Sequence, residues 1–252
     1  MIPISGSVNA GDNSIVVVAV GPGDSDMLTL QGREALLNAD LVLGFATVLN
    51  VVRPWLEQAP GKSRELRPMT YRDQEDVLEY AEEQVRQGKR CAVCCWGDLN
   101  VSARELLARV RRRAAALGAE VKLVPGISSV QVAMARTGIS LEDAIFITLH
   151  KRADTGGDLD ELLHYINEGR RHVILLPRPF DLMPPGIASG LLDAGVRGDL
   201  PLRVYQRLTL DDEQRWNGTL QECSGIEEEF SDLSIMVFLS GETPVQFPPG
   251  ED

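Results

Sequence analysis

Histidine is scarce in this chain, at three residues in 252, and none falls in an H-E-x-x-H pattern or a cluster, so no metal-hydrolase motif is available. Positive charge is also in deficit. The formal net charge of -12 gives a diffuse negative field, which argues against a protein that grips nucleic acid or an anionic membrane. No apolar run reaches membrane-spanning length, and "MIPISGSVNAGDNS" lacks the basic segment and apolar core of a leader. The four cysteines form no disulfide framework: Cys91, Cys94 and Cys95 share one apolar run and Cys223 is distant, a pattern that points to the cytoplasm. Cys91-x-x-Cys94 has the spacing of a metal or redox pair but sits in "CAVCCW", which reads as a buried strand with no second pair beside it. We expect no metal.

Several enzyme signatures are missing as well. In "VGPGDSD" the third glycine of a dinucleotide fingerprint would fall at Asp26, and no G-K-[ST] follows to make a phosphate loop. "GISSV" lacks the second glycine of a serine-hydrolase elbow.

What is present is a globular composition, 44% hydrophobic and 25% charged, in a chain long enough for two domains. Short apolar runs alternate with amphipathic segments, the pattern of α/β architecture. The first set of strands is predicted at Ile15–Val20, Leu41–Gly44, Cys91–Cys95 and Val121–Val124, with a weaker one near Glu65–Leu66; the mainly apolar character of the first four suits strands covered on both faces. Helices are predicted at Leu28–Ala39, Glu75–Gln87, Ser102–Leu117 and Ser128–Thr137, the last three each followed by a glycine that stops them. The second set places strands at Ala144–Leu149, Val173–Leu176, Leu202–Tyr205, Trp216–Leu220 and Leu233–Leu239, with helices at Leu159–Glu168 and Gly186–Ala194. Its shorter connections imply some antiparallel pairing. These patterns give two α/β domains, 15–138 and 139–242, with 1–14 and 243–252 as loose tails.

Ligands of open α/β sheets bind at the carboxyl ends of strands. Three loops have that position and a suitable composition: "GPGD" at Gly21–Asp24, "WGDLN" at Trp96–Asn100 and "PGISS" at Pro125–Ser129. Glycine there lets backbone approach a ligand and Pro22 stiffens the turn. Asp24 either caps the next helix or faces the ligand; Asp98, Ser128 and Ser129 carry the same two readings. Basic clusters at Arg33, Arg104, Arg136 and His150-Lys151-Arg152 are either solvated surface or a local patch for an anion.

With these loops in this order, the sequence resembles the tetrapyrrole methylases, enzymes that methylate corrin and sirohaem precursors with S-adenosyl-L-methionine. "VGPGDSDMLTL" looks like the family's first motif, "WGD" like part of its Gly-Asp-Pro loop and "VPGISS" like its third. "VPGISSVQVAMARTGISLEDAIFITLHKR", "VYQRLTLDDEQRWNGTL" and "FSDLSIMVF" are similar to the C5-methylating branch that acts on precorrin-7. Two departures stand out. Gly97-Asp98-Leu99-Asn100-Val101-Ser102 lacks the proline and the later glycine, and Gln206-Arg207 stand where that branch often has Glu-Asn.

The resemblance implies a class III methyltransferase fold with a cleft between its domains, a homodimer, a small-molecule tetrapyrrole as acceptor, and a separate partner enzyme for C15 methylation and decarboxylation. It implies that Pro22, Trp96, Gly97, Asp98, Val101, Ser128 and Ser129 hold the cofactor, with Leu176, Gln206, Arg207 and Leu208 closing over its adenosine. Asp24 is then the first choice for a catalytic group and His150 the second, while Arg104, Arg136, Lys151 and Arg152 would meet substrate carboxylates. Relatives with a ribosomal RNA or diphthine acceptor, and a binding module without turnover, are the competing readings.

Overall fold

The computed structural model describes residues 13–61, 63–101, 103–150, 156–179 and 181–242. Their contacts divide them into two units, one ending at Ser128 and the other starting at Ser129.

The first unit is built on a parallel sheet of five strands: β1 (Ser14–Ala19), β2 (Leu41–Phe45), β3 (Glu65–Met69), β4 (Cys91–Cys95) and β5 (Glu120–Val124). Their order is β3-β2-β4-β1-β5, with β1 paired to both β4 and β5. Every residue of β1 and β4 is buried, as expected where helices cover both faces. Helices α1 (Leu30–Asn38) and α2 (Ala46–Gln58) cover one face, and α3 (Gln74–Arg86) with α4 (Arg104–Leu117) cover the other. Alternation along β4 sends Cys91 and Cys95 to the α3–α4 side and Cys94 to the α1–α2 side. The Cys91-x-x-Cys94 spacing therefore makes no ligand pair. Desolvation pushes the thiols of Cys91 and Cys95 up to about 12 and that of Cys94 higher, so they behave as core residues.

Two elements depart from the sequence reading here. Helix α2 was not expected, because its residues include β-branched valines and Pro54 inside the helix. Burial of Val48, Leu49, Val52 and Leu56 against the sheet overrides that weak propensity, and Pro54 sits on the solvent side, where the missing N–H is least costly. The helix expected from Leu28 begins instead at Leu30, capped by Thr29, whose hydroxyl accepts the Gly32 N–H at 3.1 Å.

The second unit opens with α5 (Ser129–Thr137), which the sequence reading placed in the first domain. Its grouping follows from packing on the second sheet: the Thr137 and Tyr205 hydroxyls, both buried, lie 3.0 Å apart. That sheet runs β6 (Ala144–Thr148), β7 (His172–Leu176), β10 (Ser234–Phe238), β8 (Pro201–Gln206), β9 (Gln214–Thr219). Only β6 and β7 are parallel neighbours; the other pairs are antiparallel, as the short connections implied. Helices α6 (Gly156–Glu168), α7 (Pro184–Asp193) and α8 (Leu220–Ser224) accompany it, with Leu162, Ile187 and Leu220 in its main apolar cluster. The strand expected to run to Leu220 stops at Thr219, where a capping box with Glu222 starts α8.

Candidate functional site

In the first unit, parallel pairing of β4-β1-β5 puts the carboxyl ends of these strands side by side, so the three glycine-containing loops meet. The polypeptide stitches them with its own backbone. Gly97 donates its N–H to the Gly21 carbonyl at 2.8 Å, and Gly21 donates to the Gly97 carbonyl at 3.2 Å. Both have left-handed φ, 87° at Gly21 and 65° at Gly97, a conformation that a side chain disfavours. Gly126 serves a different purpose: a Cβ there would lie 2.7 Å from that of Ala19 and 2.8 Å from the Gly97 oxygen. Only glycine allows the third loop to press against the other two.

Asp98 does not cap α4, which starts at Arg104 with no side-chain cap. Its carboxylate instead accepts the Asn100 N–H at 2.8 Å through one oxygen and the Gly126 N–H at 2.9 Å through the other. It thus folds its own loop and ties that loop to the third. Leu99, in the position where the resemblance leads one to expect proline, is buried in the same apolar cluster as Leu107 and Val110. The loop is held by an apolar anchor in place of a stiff ring. Val101 closes the turn, donating to the Asp98 carbonyl at 3.1 Å, while Trp96 packs toward the α1–α2 side.

Asp24 is exposed and caps a 3-10 turn, Ser25–Met27, by accepting the Asp26 N–H at 2.8 Å. Pro22 lies between the bridged Gly21 and this turn. Ser128 is buried beside Gly97, its Cα 3.8 Å from where a Gly97 Cβ would be. Bare backbone therefore faces Ser128 at Gly97, and the Asp98 carboxylate follows it directly in the same loop. Such a cradle suits a ligand that approaches backbone closely and carries a positive centre.

The same edge holds an aromatic pair that sequence reading missed. Phe45 ends β2, and Tyr71, two residues beyond β3, lies with its ring centroid 4.8 Å away. Tyr71 is 68% exposed, and its turn is fixed by the Thr70 N–H donating to Asp73, a bond that also holds the Asp73 carboxyl below the usual carboxylate range. An apolar residue just past the end of a predicted strand was the available signal. Arg104, at the start of α4, is exposed.

The second unit gathers its own candidates. Because β7 and β8 both run antiparallel to β10, and β6 runs parallel to β7, Leu176, Gln206 and His150 lie toward one edge of that sheet. Leu176 and Leu208 are buried. The Gln206 side chain accepts the Ser231 N–H at 2.7 Å, and Arg207 pairs with Asp212 at 2.7 Å. His150 keeps solvent contact, yet desolvation by the protein around it lowers its basicity, opposed by the Asp232 carboxylate. It is neutral at pH 7 and able to accept a proton. Arg136, expected to meet substrate, is engaged by Glu213 through both ends of its guanidinium, at 3.1 and 3.2 Å. Lys151 and Arg152 lie outside the described residues.

Comparison with known proteins adds four findings. The profile of the "Tetrapyrrole (Corrin/Porphyrin) Methylases" matches residues 14–224. A probable cobalt-precorrin-7 C(5)-methyltransferase of Methanocaldococcus jannaschii is 27% identical over 224 residues, covering 89% of this chain and 97% of that protein. A siroheme synthase of Zymomonas mobilis is 26% identical over 91% of this chain, which spans about half, 49%, of that longer protein. The crystal structure of a cobalamin biosynthesis precorrin-6Y methylase from Archaeoglobus fulgidus matches with a TM-score of 0.63 at 25% identity, over 92% of this chain and all of that one. Among the described residues no helix is long and apolar enough to cross a membrane.

Proposed function

Since the chain belongs to the tetrapyrrole methylases, whose members take their methyl group from S-adenosyl-L-methionine, we propose that it methylates C5 of precorrin-7 or cobalt-precorrin-7 in corrin-ring synthesis. The observation that carries this reading is the match to a probable C5-methyltransferase over almost the whole of both chains.

The residues of the first edge fit the donor. Backbone free of side chains at Gly97, the left-handed glycines and the fixed Asp98 carboxylate offer backbone contact and negative charge to a sulfonium-bearing amino acid. When bound, S-adenosyl-L-methionine supplies an electrophilic methyl whose sulfonium charge is lost as its S–C bond breaks and a C–C bond to the acceptor forms. Pro22, Trp96–Asp98, Val101, Ser128 and Ser129 would orient it, with Leu176 and Gln206–Leu208 against the adenosine. The protein gains most by excluding water and aligning the reactants, since charge disappears during the step.

The acceptor is a carbon made nucleophilic by ring nitrogens, and the proton it loses after methylation must go to a base. Asp24 is the first choice and neutral His150 the second. Phe45 and Tyr71, their rings tilted by 50°, offer an aromatic surface at the same edge as Gly97 for a macrocycle, with the exposed Arg72 beside them for a ring carboxylate.

The test is to incubate the chain with S-adenosyl-L-methionine and either cobalt-precorrin-7 or the acceptor of siroheme synthesis, following S-adenosylhomocysteine and the mass of the macrocycle. Turnover of only the siroheme-type acceptor would overturn the C5 assignment and leave the family intact; donor binding without any methylated product would favour a binding module. Asp24→Asn keeps an oxygen for the Asp26 N–H while removing the charge, so it should slow transfer at least tenfold with donor affinity unchanged. Equal loss of both would make Asp24 structural.

A further inference from the structure

The turn that leaves β8 is held in a conformation its residues do not favour. Arg207 has φ of 52° and Thr209 of 66°, and these are the only described non-glycine residues with positive φ. For β-branched Thr209 the left-handed region is a true outlier. Leu208 between them is buried, so the turn drives one apolar side chain inward while its neighbours point elsewhere.

Five polar pairings keep it there. Glu213 accepts the Thr209 N–H at 2.8 Å. The same carboxylate forks onto Arg136, at 3.1 and 3.2 Å, and also takes the Arg215 Nε at 3.1 Å. Its side chain is only 15% exposed, which strengthens each of these charge-assisted bonds. Arg207 adds its own pair with Asp212, and its N–H donates to the Leu233 carbonyl at 2.9 Å. Arg136 sits in the last turn of α5, so Glu213 ties the strained turn to a helix that begins directly after the Pro125–Ser128 loop.

We propose that Glu213 is a positioning residue for the methyl donor: its carboxylate, seated on Arg136 and Arg215, holds Arg207–Thr209 in the left-handed shape that receives the adenosine. The inference rests on the proposed placement of Gln206–Leu208 at the donor. It also gives Arg136 a role through Glu213 in place of a direct contact to substrate. Strain maintained by a partly buried ion network at a turn proposed to face the donor is a sign of preorganisation, because glycine at 209 would give the same φ without any clamp.

Substitution and rescue test this on the intact chain, with S-adenosyl-L-methionine as the titrated probe. Glu213→Ala should weaken its binding about tenfold, a loss typical of a buried charge-assisted bond, and Glu213→Gln, which still accepts from Thr209, should fall between it and the parent. Adding Thr209→Gly to Glu213→Ala should restore affinity to within about twofold, since glycine adopts the turn unaided. Unchanged donor affinity in folded Glu213→Ala or Glu213→Gln protein, or a double variant that binds no better than Glu213→Ala, overturns the proposal. Hydrogen exchange separates the two layers of the claim. If the donor gives no protection at residues 206–210 in the parent, the placement of the turn at the donor fails; if protection is present and Glu213→Ala still binds normally, the clamp alone fails.

Discussion

In the first unit, left-handed backbone at the carboxyl edge of the sheet falls on Gly21 and Gly97; in the second, at the exit of β8, it falls on Arg207 and Thr209. At the first edge the absence of a side chain removes the steric cost where it arises, and the glycines bond to each other through their backbones. At the second the cost remains and is offset by Glu213, Arg136, Arg215 and Asp212. The first device leaves backbone bare of side chains. The second keeps side chains on the turn, at the expense of an ion network that must form with it.

This contrast can be broken most forcefully at Gly126. Gly126→Ala places a Cβ 2.7 Å from that of Ala19 and 2.8 Å from the Gly97 oxygen, so the stitched loops must separate. A loss of about 1–3 kcal/mol is expected, read as a lower urea midpoint at constant m, together with loss of donor binding. Gly97→Ala should cost less stability, roughly 1–2 kcal/mol, since its Cβ would make only an ordinary contact with the Ser128 Cα at 3.8 Å and the left-handed φ of 65° is what opposes it. Donor affinity, measured by titration calorimetry, should nonetheless fall more than stability does; a pure stability loss would mean that the space over Gly97 is not the donor's.

Thr209→Gly alone sharpens the comparison from the other side. Here glycine relieves strain, so stability should change by less than about 1 kcal/mol, in contrast to the losses at Gly126 and Gly97. A large destabilisation, seen as a drop in melting temperature, would show that the Thr209 side chain matters more than its backbone angle.

The smallest effect is expected in the pH dependence. Desolvation lowers the folded pKa of His150 below its ordinary 6.5, so the neutral ring persists somewhat below that pH, and any stability or base function tied to it is lost as pH falls through the lowered value. Methyl transfer by the parent should show an acid limb below pH 6.5 that His150→Gln lacks. Identical profiles would remove His150 from the proton path.

Much of the first edge was legible from residues alone. Strands β1 and β4 announce themselves as short, wholly apolar runs, and the glycines and aspartates directly after β1, β4 and β5 mark loops where backbone must turn sharply. Helix α2 was not legible, because its valines and Pro54 speak against a helix until a sheet face is there to bury them. Of the two readings of Asp98, the helix cap failed for a related reason. Capping is a local property and can be guessed from neighbours, whereas its actual bond to the Gly126 N–H spans 28 residues. Arg136 was read as a candidate for substrate carboxylates or as surface charge, and its pairing with Glu213, 77 residues later, could not be seen in the sequence.

By itself the sequence determined the alternation of strands and helices, the family, and the three loops at which a ligand could be approached by bare backbone. These follow from apolar periodicity and from the conformational range of glycine and proline, which act within a few residues. The tertiary structure alone decided that β4-β1-β5 are neighbours, that Asp98 joins two loops, and that Glu213 holds a strained turn. Each of these depends on strand order and on pairs of residues distant in the chain, whose attraction exists only after the sheet has brought them together.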